Sequence, residues 1–143
     1  MAQDGPTPGH PGDGATRHQA RERALSLLYE AELKDEAVAL VLAGLPVNPD
    51  PFARQLVETT EHRRAEADAL VASASVGWPL DRMAVVDRLV LRMAVAELLD
   101  PEGPPVAVVI DEAVELAKTY STDDSGAFVN GILSTIAAEV RAG

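Results

Sequence analysis

The sequence contains no cysteine among its 143 residues, so it can form neither disulfides nor thiolate metal sites. Its three histidines are scattered and show no metal-ligand spacing, so neither a metal site nor a cofactor is expected. No uninterrupted apolar run is long enough to predict a transmembrane helix. The N-terminus also lacks the basic-then-apolar order of a signal peptide. These absences predict a cytoplasmic protein that has no membrane partner.

The motifs of common enzyme classes are also absent. There is no cysteine nucleophile, no histidine lies near a nucleophile motif, and no glycine-rich phosphate loop occurs. Glu112 and Glu115 form a Glu-x-x-Glu pair, but a di-iron bundle needs Glu-x-x-His pairs, and this spacing suits a solvated helix face. Glu97 lies in an apolar segment, where we expect it to be buried and hydrogen-bonded. The chain is therefore expected not to be an enzyme.

Positive charge is scarce, because 12 Lys and Arg against 23 Asp and Glu give a formal net charge of −11. Such a balance argues against a protein that coats nucleic acid, since phosphate binding depends on Lys and Arg. Residues 17–23 are the exception, with a local charge of +2 from Arg17, Arg21, Arg23 and one glutamate. This patch suits either a local RNA contact made with a partner's help or the solvated edge of a helix.

Helical spacing of apolar residues runs through most of the chain and strand signals are absent, which predicts an all-α fold of about seven helices. Residues 1–15, with three Pro and four Gly, are predicted to be a disordered tail. Residues 16–143 are predicted to form one helical domain. Thr16 and Gln19 form a capping box that predicts the start of the first helix.

Further helices are predicted from proline, glycine and capping signals. Asp50 is predicted to cap a long helix that Pro51 opens and that runs to about Ser75. The remaining helical segments are predicted at 35–43, at 81–99 as a short helix followed by a longer one, at 106–120 and at 124–141.

An Asn-Gly pair interrupts an apolar run near the C-terminus. Both residues are poor in a helix interior, where Gly costs about 1 kcal/mol relative to Ala. Asn130 is predicted to hydrogen-bond a neighbouring helix end, and Gly131 to permit a close approach between helices. Phe128 and Val129 are predicted to be core residues. This motif is therefore expected to be structural rather than a direct RNA contact.

Four motifs follow one another in a fixed order. They are L-D-R at 80–82, L-R-x-A-x-x-E-L at 91–98, D-E-A-V-E-L-A-K at 111–118 and F-V-N-G-I-L at 128–133. With them the sequence resembles the NusB family of transcription antitermination factors over residues 16–141, strongly in the C-terminal half and weakly at 33–62. The resemblance implies two small helical bundles packed together, and a non-enzymatic role.

The resemblance also implies partners. Proteins similar to this one bind the boxA element of nascent ribosomal RNA transcripts together with NusE, a small-subunit ribosomal protein. The complex joins RNA polymerase with other Nus factors and suppresses termination. One alternative is a homodimer whose interface covers the RNA and partner surface, and another is a helical adaptor with weak or no RNA binding by itself.

Site residues follow from matching this sequence to the family's motifs. Arg17, His18 and Arg21 match a basic first helix, where arginine can pair with phosphates or stack on unpaired bases. Lys118 and the loop at 121–125 match a motif that borders the same RNA surface. Within that loop the predicted RNA-binding residues are Ser121 and Asp124.

Two further residues match positions where relatives meet NusE. They are Tyr29 and Asp87, although Asp87 could instead be an ordinary exposed carboxylate or a helix cap. Asp124 is also a candidate N-cap of the last helix. The sequence departs from the family at Ala127, where relatives often have Lys or Arg immediately before F-V-N-G. That departure favours RNA binding that depends on the partner.

Overall fold

The computed structural model describes residues 14–141, and within that range it contains only helices as regular secondary structure. The all-α prediction and the predicted number of helices are confirmed. The chain divides into two compact units, with the boundary after Glu58. The helices are α1 (Gly14–Lys34), α2 (Val38–Ala43), α3 (Pro51–His62), α4 (Arg64–Ala74), a 3₁₀ helix (Leu80–Arg82), α5 (Val85–Leu99), α6 (Val106–Tyr120) and α7 (Ser125–Val140).

The first helix starts earlier than its capping signal. α1 begins at Gly14, so Thr16 lies inside the helix and the predicted capping box is wrong. Ala15 precedes Thr16, and alanine's high helix propensity favours continuing the helix towards the N-terminus. The predicted disordered tail lies outside the described residues, apart from Gly14 and Ala15, which are helical.

The end of α1 explains why the second helix is shorter than predicted. Asp35 has a positive φ of 52°, a left-handed conformation that ends a helix. Its N–H donates to the carbonyl of Glu32 at 3.3 Å, and the N–H of Glu36 donates to the carbonyl of Ala31 at 3.0 Å. These are the two hydrogen bonds of a Schellman motif. Asp35 therefore terminates α1 rather than opening α2.

The N-terminal unit is assembled from alanine and aliphatic positions at helical spacing. α1 packs against α2, whose buried residues are Val41 and Leu42. Residues at three- to four-residue spacing predict one buried stripe on α1, and all of them are buried, namely Ala20, Ala24, Leu27, Leu28 and Ala31. This agreement follows from the 3.6-residue period of the helix.

The predicted cap of α3 is confirmed, but the long helix is not. Asp50 Oδ2 accepts hydrogen bonds from the N–H groups of Phe52 at 2.9 Å and Ala53 at 3.2 Å. Instead of one helix to Ser75, the segment forms α3 and α4, which meet at Arg63, where ψ is 8°. The interruption falls in the polar stretch 58–66, where few apolar side chains anchor a continuous helix.

α5 is the central helix of the C-terminal unit. It packs against α4, α6 and α7, and every residue from Leu89 to Leu98 is buried. Glu97 is among them, as predicted, with 9% exposure. A helix that is buried on all faces needs neighbours on all sides, so the other helices of this unit are arranged around α5.

Two arginines connect helices or loops of this unit through hydrogen bonds. Arg92 on α5 donates to both carboxylate oxygens of Asp68 on α4, at 2.7 and 3.1 Å. Arg141, after α7, donates to the carbonyls of Glu97, Leu98, Asp100 and Pro104 at 2.9–3.1 Å. The last carbonyls of a helix have no partner within it and carry partial negative charge, so a guanidinium stabilises them.

Candidate nucleic-acid interface

The predicted RNA-binding arginines lie on consecutive turns of α1. Arg17 and His18 are half-buried, and Arg21 is buried with 4% exposure. Burial of Arg21 excludes the interpretation that both arginines form a solvated helix edge. Residues four positions apart share one helix face, so the guanidinium groups of Arg17 and Arg21 face the same neighbour.

That neighbour is the side chain of Phe52 at the start of α3. The Cζ atom of Arg17 lies 4.1 Å from the centroid of the ring, and Cζ of Arg21 lies 5.3 Å from it. Both distances are within the range of a cation–π interaction. In the sequence, Phe52 is only one of the apolar positions of the helix that Pro51 opens. The only sequence signal for this contact with the arginines is that phenylalanine is rare, since the chain has only two.

His18 has an acidic neighbour on the same helix. Its Nε2 lies 3.6 Å from Glu22 Oε2, one turn along α1. A protonated imidazole there would be partly neutralised by the carboxylate, whereas a neutral imidazole could accept or donate a hydrogen bond. The predicted RNA-binding role of His18 stays a prediction.

The second group of predicted RNA-binding residues lies between α6 and α7 in the C-terminal unit. Lys118 and Asp124 are exposed, and Ser121 is half-buried. The loop is held by the buried hydroxyl of Ser125, which donates to Ser121 Oγ at 3.1 Å and lies 2.9 Å from Thr122 Oγ1. It also accepts the backbone N–H of Thr122 at 3.2 Å. A fixed loop conformation therefore sets the positions of the exposed polar groups.

The aliphatic stem of Lys118 packs against Gly126, which belongs to none of the motifs identified in the sequence. A Cβ atom added to Gly126 would lie 2.8 Å from Lys118 Cγ, 3.0 Å from its Cδ and 3.5 Å from Val114 Cγ1. Any side chain at Gly126 would therefore displace the aliphatic stem of the lysine. The position of the Lys118 ammonium depends on this close approach of α7 to α6.

Asp124 occupies the expected cap position without capping. It is the residue before α7, but its φ and ψ are those of a right-handed helix and its side chain makes no cap hydrogen bond. An N-cap side chain acts from an extended backbone conformation, so the predicted capping role is wrong. The exposed carboxylate of Asp124 places its negative charge in solvent, in the loop between α6 and α7.

The predicted roles of the Asn-Gly pair are also wrong. Asn130 is exposed, and its Oδ1 accepts a hydrogen bond from Ser134 of the same helix at 3.3 Å, not from a neighbouring helix end. Gly131 is exposed, and an added Cβ would meet nothing within 4 Å. Both face away from the buried side of α7, which includes Val129 and Ile132. Phe128, predicted as core, is only half-buried.

The two predicted partner-binding residues differ in environment. Tyr29 on α1 is exposed, with 38% of its surface accessible. Asp87, in the first turn of α5, is 8% exposed, so the alternative of an ordinary exposed carboxylate is wrong. Its Oδ1 is buried and accepts no hydrogen bond from the described residues. A buried oxygen without a donor is costly, so this carboxylate destabilises the free chain, and the predicted partner-binding role of Asp87 stays a prediction.

Residues 14–141 contain no group of three His, Asp or Glu side chains that could hold a metal ion. No helix in this part of the chain is long and apolar enough to cross a bilayer. The predicted RNA-binding residues fall in both units, Arg17, His18 and Arg21 in one and Lys118 onwards in the other. That they form one surface stays a prediction.

Comparison with known sequences places these features in context. The sequence profile of the NusB family matches residues 18–138. The chain is 44% identical over 125 residues to the transcription antitermination protein NusB of Thermobifida fusca, covering 85% of this chain and 88% of that protein. It is 46% identical over 127 residues to the NusB of Saccharopolyspora erythraea, covering 85% and 86%.

Solved structures agree with the sequence comparison. NusB of T. maritima superposes with a TM-score of 0.78 at 36% identity, over 86% of this chain and 91% of that one. A chain from a crystal structure of the antitermination factors NusB and NusE in complex with double-stranded RNA superposes with a TM-score of 0.72 at 31% identity, over 86% and 96%. The described helices therefore follow the architecture of these proteins.

Proposed function

This chain belongs to the NusB family and is a transcription antitermination factor, and from that premise we propose that it binds boxA RNA of ribosomal RNA transcripts together with NusE. The bound complex joins RNA polymerase with other Nus factors and suppresses termination. The role is non-enzymatic, since it consists of bringing an RNA and a protein together.

The observation that carries the proposal is the arginine pair on the Phe52 ring. Arg17 and Arg21 lie in the segment where the family's basic first helix is expected, and Arg17 keeps part of its surface in solvent. Arginine binds phosphate through two parallel N–H groups and stacks on unpaired bases. A NusB that is similar in structure crystallises with NusE and RNA, which supports the same ligands for this chain.

Partner-assisted binding follows from the charge balance. A formal charge of −11 repels RNA at long range, and Ala127 is exposed where relatives often carry Lys or Arg. A basic ribosomal protein would be attracted to the acidic chain and would add positive charge beside the RNA. Tyr29 and Asp87 are the proposed contacts, because the family resemblance assigns both positions to NusE binding, and Tyr29 is exposed on α1.

RNA binding with and without NusE tests this function. We expect boxA RNA to bind more tightly when NusE is present, and Arg17→Ala to weaken that binding about tenfold, as for the loss of one bidentate contact. Arg23→Ala is the matched control, since Arg23 lies exposed on the same helix and bonds Ser26 instead of the ring. If boxA RNA binds under neither condition, or if Arg23→Ala is as harmful as Arg17→Ala, the proposal is wrong.

A homodimeric helical adaptor with weak or no RNA binding by itself is the second candidate. It is favoured by the burial of Arg21 and by the absence of a basic residue at Ala127. Sizing the free protein by sedimentation separates the two. A dimer that persists after NusE is added and binds no boxA RNA would favour the adaptor, whereas a monomer that binds RNA with NusE would exclude it.

A further inference from the structure

Phe52 contacts two cations of another helix, although it belongs to none of the motifs that carry the family resemblance. Its ring centroid lies 4.1 Å from Arg17 Cζ and 5.3 Å from Arg21 Cζ. One aromatic ring thus attracts two guanidinium groups that would otherwise repel each other across one turn of α1. The ring compensates for that repulsion and keeps both groups on one side of the helix.

The position of the ring is itself fixed. Asp50 Oδ2 accepts the backbone N–H of Phe52 at 2.9 Å, so the residue is tied to the capped first turn of α3. Ala53 and Val57, on the same helix, have no exposed surface. Phe52 is half-buried, with the rest of its side chain accessible. A capped and anchored helix end makes the ring a rigid support for the arginines.

The Phe52 ring carries no net charge, so it does not cancel the positive charge of Arg17. Within residues 14–141 the guanidinium of Arg17 has no partner except Phe52. Other arginines are held by carboxylates, as Arg54 is by Glu58 and Arg63 by Glu66. A carboxylate orients a guanidinium but cancels its field, whereas an aromatic ring orients it and leaves the positive charge in place.

We infer that Phe52 is a positioning residue for RNA binding, one that holds the Arg17 guanidinium beside Arg21 in an orientation ready for an RNA phosphate. The inference rests on the proposed function. A free arginine loses side-chain freedom when it binds, and a pre-oriented arginine has lost part of that freedom beforehand. Phe52 therefore raises RNA affinity without having to touch the RNA.

Substitutions at Phe52 test the inference when boxA RNA affinity is measured with NusE present. Phe52→Leu removes the ring and keeps an apolar side chain, and we expect affinity to fall about threefold to fivefold, the range of a partly exposed cation–π interaction. Phe52→Tyr keeps the ring and should bind as the wild type does. Trp78→Leu is the control, because Trp78 is exposed and no cation lies over its ring within residues 14–141.

A double-mutant cycle separates positioning from simple support of the fold. If Phe52 acts through Arg17, then Phe52→Leu in an Arg17→Ala background should weaken binding by less than about twofold further. If the double variant loses affinity by the product of the two single-variant factors, the inference is wrong. Should Phe52→Leu lose its helical circular dichroism signal, Phe52→Met provides the same test.

RNA binding by the wild type distinguishes a failure of the inference from a failure of the proposed function. If wild-type protein binds boxA RNA and Phe52→Leu binds equally well, the inference is wrong and the proposed function stands. If the wild type binds no boxA RNA with or without NusE, the proposed function is wrong and the inference falls with it.

Discussion

Replacing Asp68 by alanine is expected to destabilise the C-terminal unit, because the change breaks a bidentate ion pair between α4 and α5. Asp68 accepts hydrogen bonds from Arg92 Nε at 2.7 Å and Nη2 at 3.1 Å. The side chain of Arg92 is 8% exposed and that of Asp68 is 27% exposed. Alanine at position 68 would leave a nearly buried guanidinium without this carboxylate.

The magnitude follows from the burial of the two groups. Removing one partner of a fully buried pair costs about 3–5 kcal/mol, because the other charge stays uncompensated. Asp68 keeps roughly a quarter of its surface, so water screens part of the interaction, and we expect a loss of about 2–3 kcal/mol. Adding Arg92→Met to Asp68→Ala removes the nearly buried guanidinium and should recover about half of that loss.

Urea unfolding followed by far-ultraviolet circular dichroism measures these free energies. The matched control is Glu66→Ala, also on α4, which breaks the 2.8 Å pair between Glu66 and Arg63. Those side chains are 51% and 39% exposed, so the loss should stay below about 1 kcal/mol. Equal losses for Asp68→Ala and Glu66→Ala, or a double variant less stable than Asp68→Ala, would refute the argument from burial.

Three further substitutions probe the loop and the helix ends. Asp124→Asn should strengthen boxA RNA binding about threefold, because it removes an exposed negative charge that caps no helix. Asp111 is also exposed, and Asp111→Asn should leave RNA affinity unchanged. Unchanged affinity for Asp124→Asn would count against this prediction. Gly126→Ala should lower the free energy of unfolding by about 1–3 kcal/mol and weaken RNA binding, because the added methyl group displaces the aliphatic stem of Lys118. Gly131→Ala is the control: its methyl group meets open space, so it should raise the free energy of unfolding by about 0.5–1 kcal/mol. Asp35→Gly should stabilise by about 0.5–1 kcal/mol, since glycine adopts positive φ without strain; a lower melting temperature would contradict it.

The helix boundaries were predictable where a local signal marks them. Asp50 followed by Pro51 predicted the capped start of α3, and the proline-rich stretch at 100–105 predicted the end of α5. The prediction failed where a boundary depends on a rare backbone state. Asp35 adopts the left-handed conformation usually taken by glycine, and α3 is interrupted at Arg63, a residue with no helix-breaking propensity of its own.

The site was predictable only in part, because its contacts join helices that are distant in sequence. Charge and family resemblance predicted Arg17 and Arg21 as candidates, but not the ring of Phe52, whose contacts with them exist only in the folded chain. The error at Asn130 and Gly131 was different. The apolar period of Val129, Ile132, Leu133 and Ile136 already placed both on the solvent face of α7, so helical phase alone contained the correct answer.

The placement of charge explains why RNA binding by this chain should need a partner. Carboxylates hold Lys34, Arg54, Arg63, Arg64 and Arg92 in ion pairs, so these cations contribute little field. Arg17 is held by a neutral ring, and no ion pair engages exposed Lys118 within residues 14–141. Because the chain has a net charge of −11, these cations give short-range contacts but no long-range attraction for RNA. If RNA binds as proposed, that attraction comes from a basic partner, which the acidic chain would recruit.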